Sequence, residues 1–185
     1  AIRDFLRALD RRFTNARVLI YPARVQGEGS ALEIAAGIRA LNIRPEVDVI
    51  IVMRGGGSLE EAVSLTGLFI CRGPVVQTKN ADGEMAIASD PDPSEAYAGP
   101  LIVLTSRLRA SASEILAGAL QDYGRALIVG DPSTFGKGTV QSVLPLASVM
   151  RKAGLAVEAD PGALKLTIRK FYRPDGSSTQ LKGVS

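Results

Sequence analysis

The alternation of apolar and polar positions divides the chain into short elements separated by turn residues. Ile2, Phe5, Leu6, Leu9 and Phe13 recur at helical spacing, with the arginines on the opposite, solvated face. RVLIYPARV (17–25) reads as a strand, broken by VQGEGS. Ser30 and Glu33 then form a capping-box pattern that opens the helix ALEIAAGIRAL. VDVIIVM (47–53) is a continuous apolar run, the pattern of a strand buried on both faces. Strand, helix and strand in this order predict a parallel βαβ crossover.

RGGGS follows that second strand, and Ser58 with Glu61 predicts a second capped helix, EEAVSLTGLFI. PVVQTKN and MAIAS form an expected hairpin around Ala81-Asp82-Gly83, followed by the polar, proline-rich loop 90–100. LIVLTS (101–106) reads as a buried strand and RALIVGD as a strand, on either side of a helix over 113–124 that stops at Gly124. TVQSVLPL and ALKLTIRKFY are later strands, flanking 147–162, which carries no clear period. The pattern predicts one α/β domain over 1–185, mostly parallel in its core and richer in β-structure towards the C-terminus.

Composition narrows the chemistry. With 46% hydrophobic and 22% charged residues, the chain is ordinary for a globular domain that buries a substantial core. A net charge of +3 is too small to argue for nucleic acid by itself. The absence of histidine excludes a Ser-His-Asp triad, a Cys-His dyad and histidine metal sites. Cys71 alone makes neither an internal disulfide nor a cysteine zinc site, and its apolar context (LFIC) predicts a buried thiol. The chain carries no signal peptide and no apolar run long enough to span a bilayer, so no membrane span and no compartment is read from it. It starts inside an amphipathic pattern, as if cut from something longer.

Two segments carry candidate chemistry, RASASEILAGALQDYGRA (109–126) and STFGKGTVQ (133–141). Without histidine, a serine is activated by a lysine whose amine desolvation keeps neutral. A buried Lys137 on its glycine-flanked turn would take the serine proton, and Gln141 would orient the amine without adding charge. The plainer reading stands beside this one. Ser111 and Glu114 form a capping box, and on spacing alone capping accounts for Ser111, while Ser113 sits in the first turn. A phosphate loop is rejected, because Gly130, Gly136 and Lys137 are wrongly spaced and Gly138 occupies the hydroxyl position. No cofactor or metal is expected.

From about Gly55 to Val184 the chain resembles the protease core of the C-terminal processing peptidases, or tail-specific proteases, which use a Ser-Lys pair. The stretches that carry the resemblance are GGGSLEEAVSLTGLFI, GPVVQTKNADGE, SASEILAGALQDYGRALIVG, TFGKGTVQSVLPL and ALKLTIRKFYRPDGSSTQLKGV. The resemblance implies a ClpP/crotonase-like core, a nucleophile at Ser111, a general base at Lys137 and an orienting amide at Gln141. It further implies a role in activity or structure for Asp122, and an oxyanion hole from the N–H groups of Ala112 and of Gly56 or Gly57. Its implied partner is a peptide or the C-terminal segment of an unfolded protein; oligomeric state is not implied.

Residues 1–61, with AIRDFLRALDRRFTNARVLIYPARVQGEGSALEIAAGIRALN and VDVIIVMRGGGSLEE, instead resemble the catalytic region of the exonuclease VII large subunit. The N-terminal βαβ unit is then of exonuclease type. GGGSL is common to both families, which puts a sequence seam near 54–61, residues 1–57 falling to one parent and 58–185 to the other. A chimera, engineered or recombined, is the implication. The peptidase resemblance implies export and the exonuclease resemblance a cytoplasmic protein.

The chain departs from the peptidase pattern. Arg54 runs directly into Gly55, which shortens the oxyanion loop by two residues. Displacing a donor by about an ångström costs on the order of a hundredfold in rate. Ser133 reads as an insertion, Arg109 puts a charge two residues from Ser111, and no stretch of these residues reads as the family's PDZ domain. Impaired peptidase activity is therefore expected, with a folded but inactive chimera as one alternative. Single-stranded DNA binding through Arg3, Arg7, Arg11, Arg12 and Arg17 is another, although few aromatics stand nearby for stacking. The exonuclease-like part lacks a histidine and its downstream sequence, which argues against DNA cleavage and against nucleic acid as the main partner.

Overall fold

The structure, a computed structural model, describes residues 2–54 and 56–185. Gly55, the first glycine of the turn and the start of the peptidase-like stretch, lies outside the described residues, as does Ala1. The chain divides into two compact units, Ala1–Gly55 and Gly56–Ser185.

In the first unit, α1 (Ile2–Arg12) has Asp4 in its first turn and Arg11 and Arg12 in its last, each on the favourable end of the helix dipole. None of its residues is fully buried. α2 (Ser30–Asn42) buries Ile34, Ala35, Gly37 and Ile38 along one face. Gly37 lets the Tyr21 ring lie against the helix, since a Cβ there would fall 2.9 Å from its Cδ1. The expected Ser30–Glu33 capping box is not formed. Ser30 is the first helical residue, behind Gly29, and Glu33 binds Arg24 instead, accepting its backbone N–H at 2.7 Å and its Nε at 2.6 Å. The Arg24 contacts hold the Glu33 carboxyl below its usual range.

The strands expected at 17–25 and 47–53 are not formed as strands, so the expected N-terminal βαβ unit is reduced to its helix. Val18, Leu19, Ile20, Val49, Ile51 and Val52 remain exposed. An apolar run expresses a preference for burial, whereas a strand also requires a neighbour at ladder distance.

The second unit opens with α3 (Leu59–Gly67), capped as expected by Ser58, whose Oγ accepts the Glu61 N–H at 3.1 Å. β1 (Pro74–Asn80) and β2 (Met85–Ser89) form the predicted hairpin, with Gly83 at φ 91° in its turn. β3 (Ile102–Thr105), α4 (Ala112–Asp122) and β4 (Leu127–Gly130) make a crossover with β3 and β4 parallel. Gly124, at φ 60°, ends α4 in a left-handed cap in which the Arg125 N–H reaches the Leu120 carbonyl at 2.8 Å. β5 (Thr139–Pro145), α5 (Leu146–Lys152) and β6 (Ala163–Tyr172) follow, α5 lying in the stretch that has no readable period.

The class is mixed α/β, but the mostly parallel core is not what the described strands form. β3–β4 is parallel, whereas the four-stranded sheet, in the order β2-β1-β6-β5, is antiparallel throughout. The β1–β2 turn is too short for a parallel crossover, which needs about a dozen residues. β5 and β6 pair up to Pro145↔Ala163 and close around α5 through a 3.0 Å bond from the Leu146 N–H to the Gly162 carbonyl, so β6 runs back along β5. The core of this unit joins Ala62, Val63 and Leu65 of α3, Val75 and Val76 of β1, Ile115, Ala117, Ala119 and Leu120 of α4, and Phe171 of β6. The apolar run before Cys71 ends in buried Phe69 and Ile70, but Cys71 itself, expected to be buried, is exposed. It stands past the helix end, where its Sγ donates to Glu95 Oε1 at 3.1 Å.

Candidate active site

Ser111 precedes α4, and its backbone is held at φ 57°, ψ −110°, a left-handed value uncommon for a residue with a Cβ. Such strain persists only where surrounding contacts enforce it. Two contacts do so here. Ser111 and Glu114 form the capping-box pair, with Glu114 Oε2 accepting the Ser111 N–H at 2.8 Å. Two residues upstream, the Arg109 carbonyl accepts the Phe135 N–H at 3.0 Å.

Glu114 does far more than cap. It is fully buried, and three further donors converge on it from the Thr134–Lys137 turn. Oε1 accepts the Thr134 hydroxyl and the Gly136 N–H, each at 2.6 Å, and Oε2 accepts the Lys137 N–H at 2.9 Å. An ionised carboxylate accepts and never donates, so four donors on two oxygens satisfy it fully. Because one oxygen holds the N–H groups of both Ser111 and Lys137, these two backbone nitrogens lie no further apart than the two bonds laid end to end. Residues 26 positions apart in the chain thus meet at the start of α4.

Thr134 extends the arrangement. Its hydroxyl oxygen accepts the Val184 N–H at 2.8 Å, and its own N–H donates to the Val184 carbonyl at 3.1 Å. Below the site, the Arg107 N–H donates to Asp131 Oδ2 at 2.8 Å, holding that carboxyl below its usual range and joining the exit of β3 to the exit of β4.

The other expected site residues are spread more widely. Lys137 is half-buried rather than buried. Ala112 is buried in the first turn of α4, where helix N–H groups have no intrahelical partner. Gln141 is exposed, just past a register shift between Val140 and Gln141 in the β5–β6 ladder, and such a bulge re-aims the side chain that follows it. Gly56 and Gly57 are exposed and lead into Ser58; a Cβ at Gly56 would meet open space. Asp122 is at the far end of α4, an 11-residue helix, so roughly 16 Å separate it from Ser111 along the axis. There it pairs with Arg173, whose Nε donates to Asp122 Oδ2 at 3.2 Å and whose NH2 also reaches Oδ1, Gln121 Oε1 at 2.9 Å and the Gly118 carbonyl at 3.3 Å. Both side chains of this pair are largely buried.

Sequence reasoning missed the convergence on Glu114 and the parts of Thr134 and Arg173. Only the Ser111–Glu114 spacing signalled any of it; the other partners are 20 or more residues apart. Two shallow cavities, one of about 400 Å³ beside Leu6, Phe13 and Val18 and one of about 310 Å³ beside Ala147, Arg151 and Glu158, are lined by neither Ser111 nor Lys137. Among the described residues, no cluster of three or more acidic or cysteine side chains is placed to hold a metal, and no helix is long and apolar enough to cross a membrane.

Comparison with known proteins gives two matches along the chain. Residues 47–185 match the model of peptidase family S41, and residues 1–68 match that of exonuclease VII, large subunit. A tail-specific protease of Haemophilus influenzae is 49% identical over 132 residues, which cover 71% of this chain and 18% of that protein. A carboxy-terminal-processing protease of Bartonella bacilliformis is 39% identical over 131 residues, 70% of this chain and 27% of the relative. An exodeoxyribonuclease 7 large subunit of Geotalea uraniireducens is 47% identical over 94 residues, 48% of this chain and 21% of the relative. The chain therefore spans about a quarter or less of the length of these relatives. Among solved structures, a photosystem II D1 C-terminal processing protease superposes with a TM-score of 0.66 at 30% identity, covering 86% of this chain and 38% of that one.

Proposed function

Because the chain belongs to peptidase family S41 through residues 47–185, we propose that it is the core of a serine endopeptidase of the C-terminal processing type. Its substrate is a peptide or the C-terminal segment of an unfolded protein, and its fold is a ClpP/crotonase-like variant. The observation that carries the reading is the shared Glu114 oxygen, which binds the N–H groups of Ser111 and Lys137 together.

In the mechanism we propose, the neutral Lys137 amine takes the Ser111 proton as Oγ attacks the scissile carbonyl. The oxyanion of the tetrahedral intermediate is held by the N–H of Ala112 and that of Gly56 or Gly57. The lysine ammonium then returns its proton to the leaving amine, and the acyl group remains on Ser111 Oγ. A water, deprotonated by Lys137, releases the product and restores the serine. Gln141 orients the amine. Asp122 acts at a distance, as a scaffold through Arg173, which ties α4 to the exit of β6. In this reading the shortened glycine turn slows cleavage relative to family members with the longer turn.

A second reading rests on the match of residues 1–68 to the exonuclease VII large subunit. In it the exposed Arg3, Arg7, Arg11, Arg12 and Arg17 bind single-stranded DNA. Cleavage of a labelled peptide by the parent and by Ser111→Ala separates these readings. Equal rates in the two proteins remove the peptidase. A flat salt titration of oligonucleotide affinity removes the DNA-binding reading, since phosphate contacts give a steep slope.

A further inference from the structure

The turn that carries Lys137 has every one of its central peptide groups engaged. The Gly136 and Lys137 N–H groups go to Glu114, and the Gly138 carbonyl accepts the Phe171 N–H at 3.0 Å. The remaining three partners all come from one short segment more than 40 residues downstream. The Leu181 N–H donates to the Gly136 carbonyl at 2.8 Å, the Thr179 hydroxyl donates to the Lys137 carbonyl at 3.3 Å, and Gln180 Oε1 accepts the Gly138 N–H at 2.8 Å. The two segments are closely apposed: a Cβ on Gly138 would come within 2.8 Å of the Gln180 nitrogen, and one on Gly136 within 3.1 Å of the Leu181 backbone.

Residues 179–184 are themselves pinned. Thr179 is fully buried, Val184 is 1% exposed, and Val184 exchanges hydrogen bonds with Thr134. Leu181 is held at φ 64° and is 88% exposed, so it contributes its backbone and not its hydrophobic bulk. A left-handed conformation at an exposed leucine is maintained by what its amide does, since nothing is gained by packing the side chain.

We propose that Thr179 and Gln180 are positioning residues that set the reach of Lys137 by clamping the peptide groups on either side of its Cα. Gln180 holds the amide after Lys137 and Thr179 holds the carbonyl of Lys137 itself, while Glu114 holds the amide before it. The lysine backbone is thus fixed at three consecutive polar groups, and the side chain starts from a defined point. This rests on the reading of Ser111 and Lys137 as the reacting pair.

The test compares Gln180→Ala, Gln180→Glu and Thr179→Val in labelled-peptide cleavage, with Ser111→Ala as reference. Gln180 is exposed, so its replacement leaves the core intact. Gln180→Ala is expected to lower kcat by roughly 10- to 100-fold, the scale of a sub-ångström to ångström misplacement, with KM within twofold. Gln180→Glu, which still accepts the Gly138 N–H, restores most of that loss, and Thr179→Val behaves like Gln180→Ala. Unchanged kcat in Gln180→Ala, alongside a silent Ser111→Ala, overturns the clamp and leaves the peptidase standing. Amide hydrogen exchange provides a readout independent of turnover. Gly138 is expected to exchange at least tenfold faster in Gln180→Ala at unchanged Tm, and this holds even if the parent shows no Ser111-dependent cleavage. Unchanged exchange at Gly138, or acceleration spread over the whole unit with a fallen Tm, overturns the proposal.

Discussion

Glu114→Gln is the sharpest perturbation of the candidate site, because it preserves shape and removes only acceptor capacity. The carboxylate receives four donors, two on each oxygen. An amide has one oxygen, and its NH2 must face the other pair. If the NH2 takes the Oε2 place, it meets the N–H groups of both Ser111 and Lys137. If it takes the Oε1 place, it meets the Gly136 N–H, and the Thr134 hydroxyl must turn its proton away. At least one buried N–H is orphaned either way, costing about 1–3 kcal/mol. The bonds that survive lose their charge assistance, about 1 kcal/mol each for about two bonds. The sum is roughly 3–5 kcal/mol, a large fraction of the ~5–15 kcal/mol that holds a typical domain. Urea unfolding followed by far-UV circular dichroism, at matched m-values, measures it directly. Where folded protein remains, peptide cleavage is expected to fall at least tenfold, as Ser111 and Lys137 lose their common anchor. A stability within 1 kcal/mol of the parent would refute the claim that this carboxylate joins the two segments.

Two further outcomes follow from the geometry. Asp122→Asn removes one partner of a largely buried ion pair and is expected to destabilise the second unit by about 3 kcal/mol, and Arg173→Met should cost less when added to it than alone; additive losses in that double-mutant cycle would count against a direct coupling. The Cys71 thiol is pushed above its ordinary value because Glu95 accepts its S–H, with desolvation and the Glu95 charge adding to the effect. Less thiolate is present at a given pH, so alkylation should be slower than for a free cysteine and should accelerate in Glu95→Gln. The linked contribution to stability is present below the unfolded thiol value and is lost as pH rises through the raised folded one. Identical pH–rate profiles of alkylation in the two proteins would remove this account.

What could be read from the sequence was what is encoded within a turn or two of the chain. Ser58 with Glu61 marked the start of α3, Gly83 the hairpin, and Gly124 the end of α4, because each needs only neighbours three or four residues away. The parallel β3–α4–β4 unit followed from two apolar runs with a helix between them. Family membership was legible too, since long motifs survive as linear strings. The same local logic misled where pairing or solvent decides. The runs at 17–25 and 47–53 found no ladder, Glu33 turned to Arg24 instead of capping, and Cys71 ended outside the core.

The candidate site shows the division most plainly. Its residue types were present in the string, and spacing alone left Ser111 as a helix cap. The three-dimensional arrangement supplied the buried Glu114 that gathers Ser111, Thr134, Gly136 and Lys137, and the segment 179–184 that closes over their turn. A capping box is written in adjacent letters. A carboxylate shared between distant segments is an outcome of packing, because each buried donor must find an acceptor wherever the fold brings one within reach.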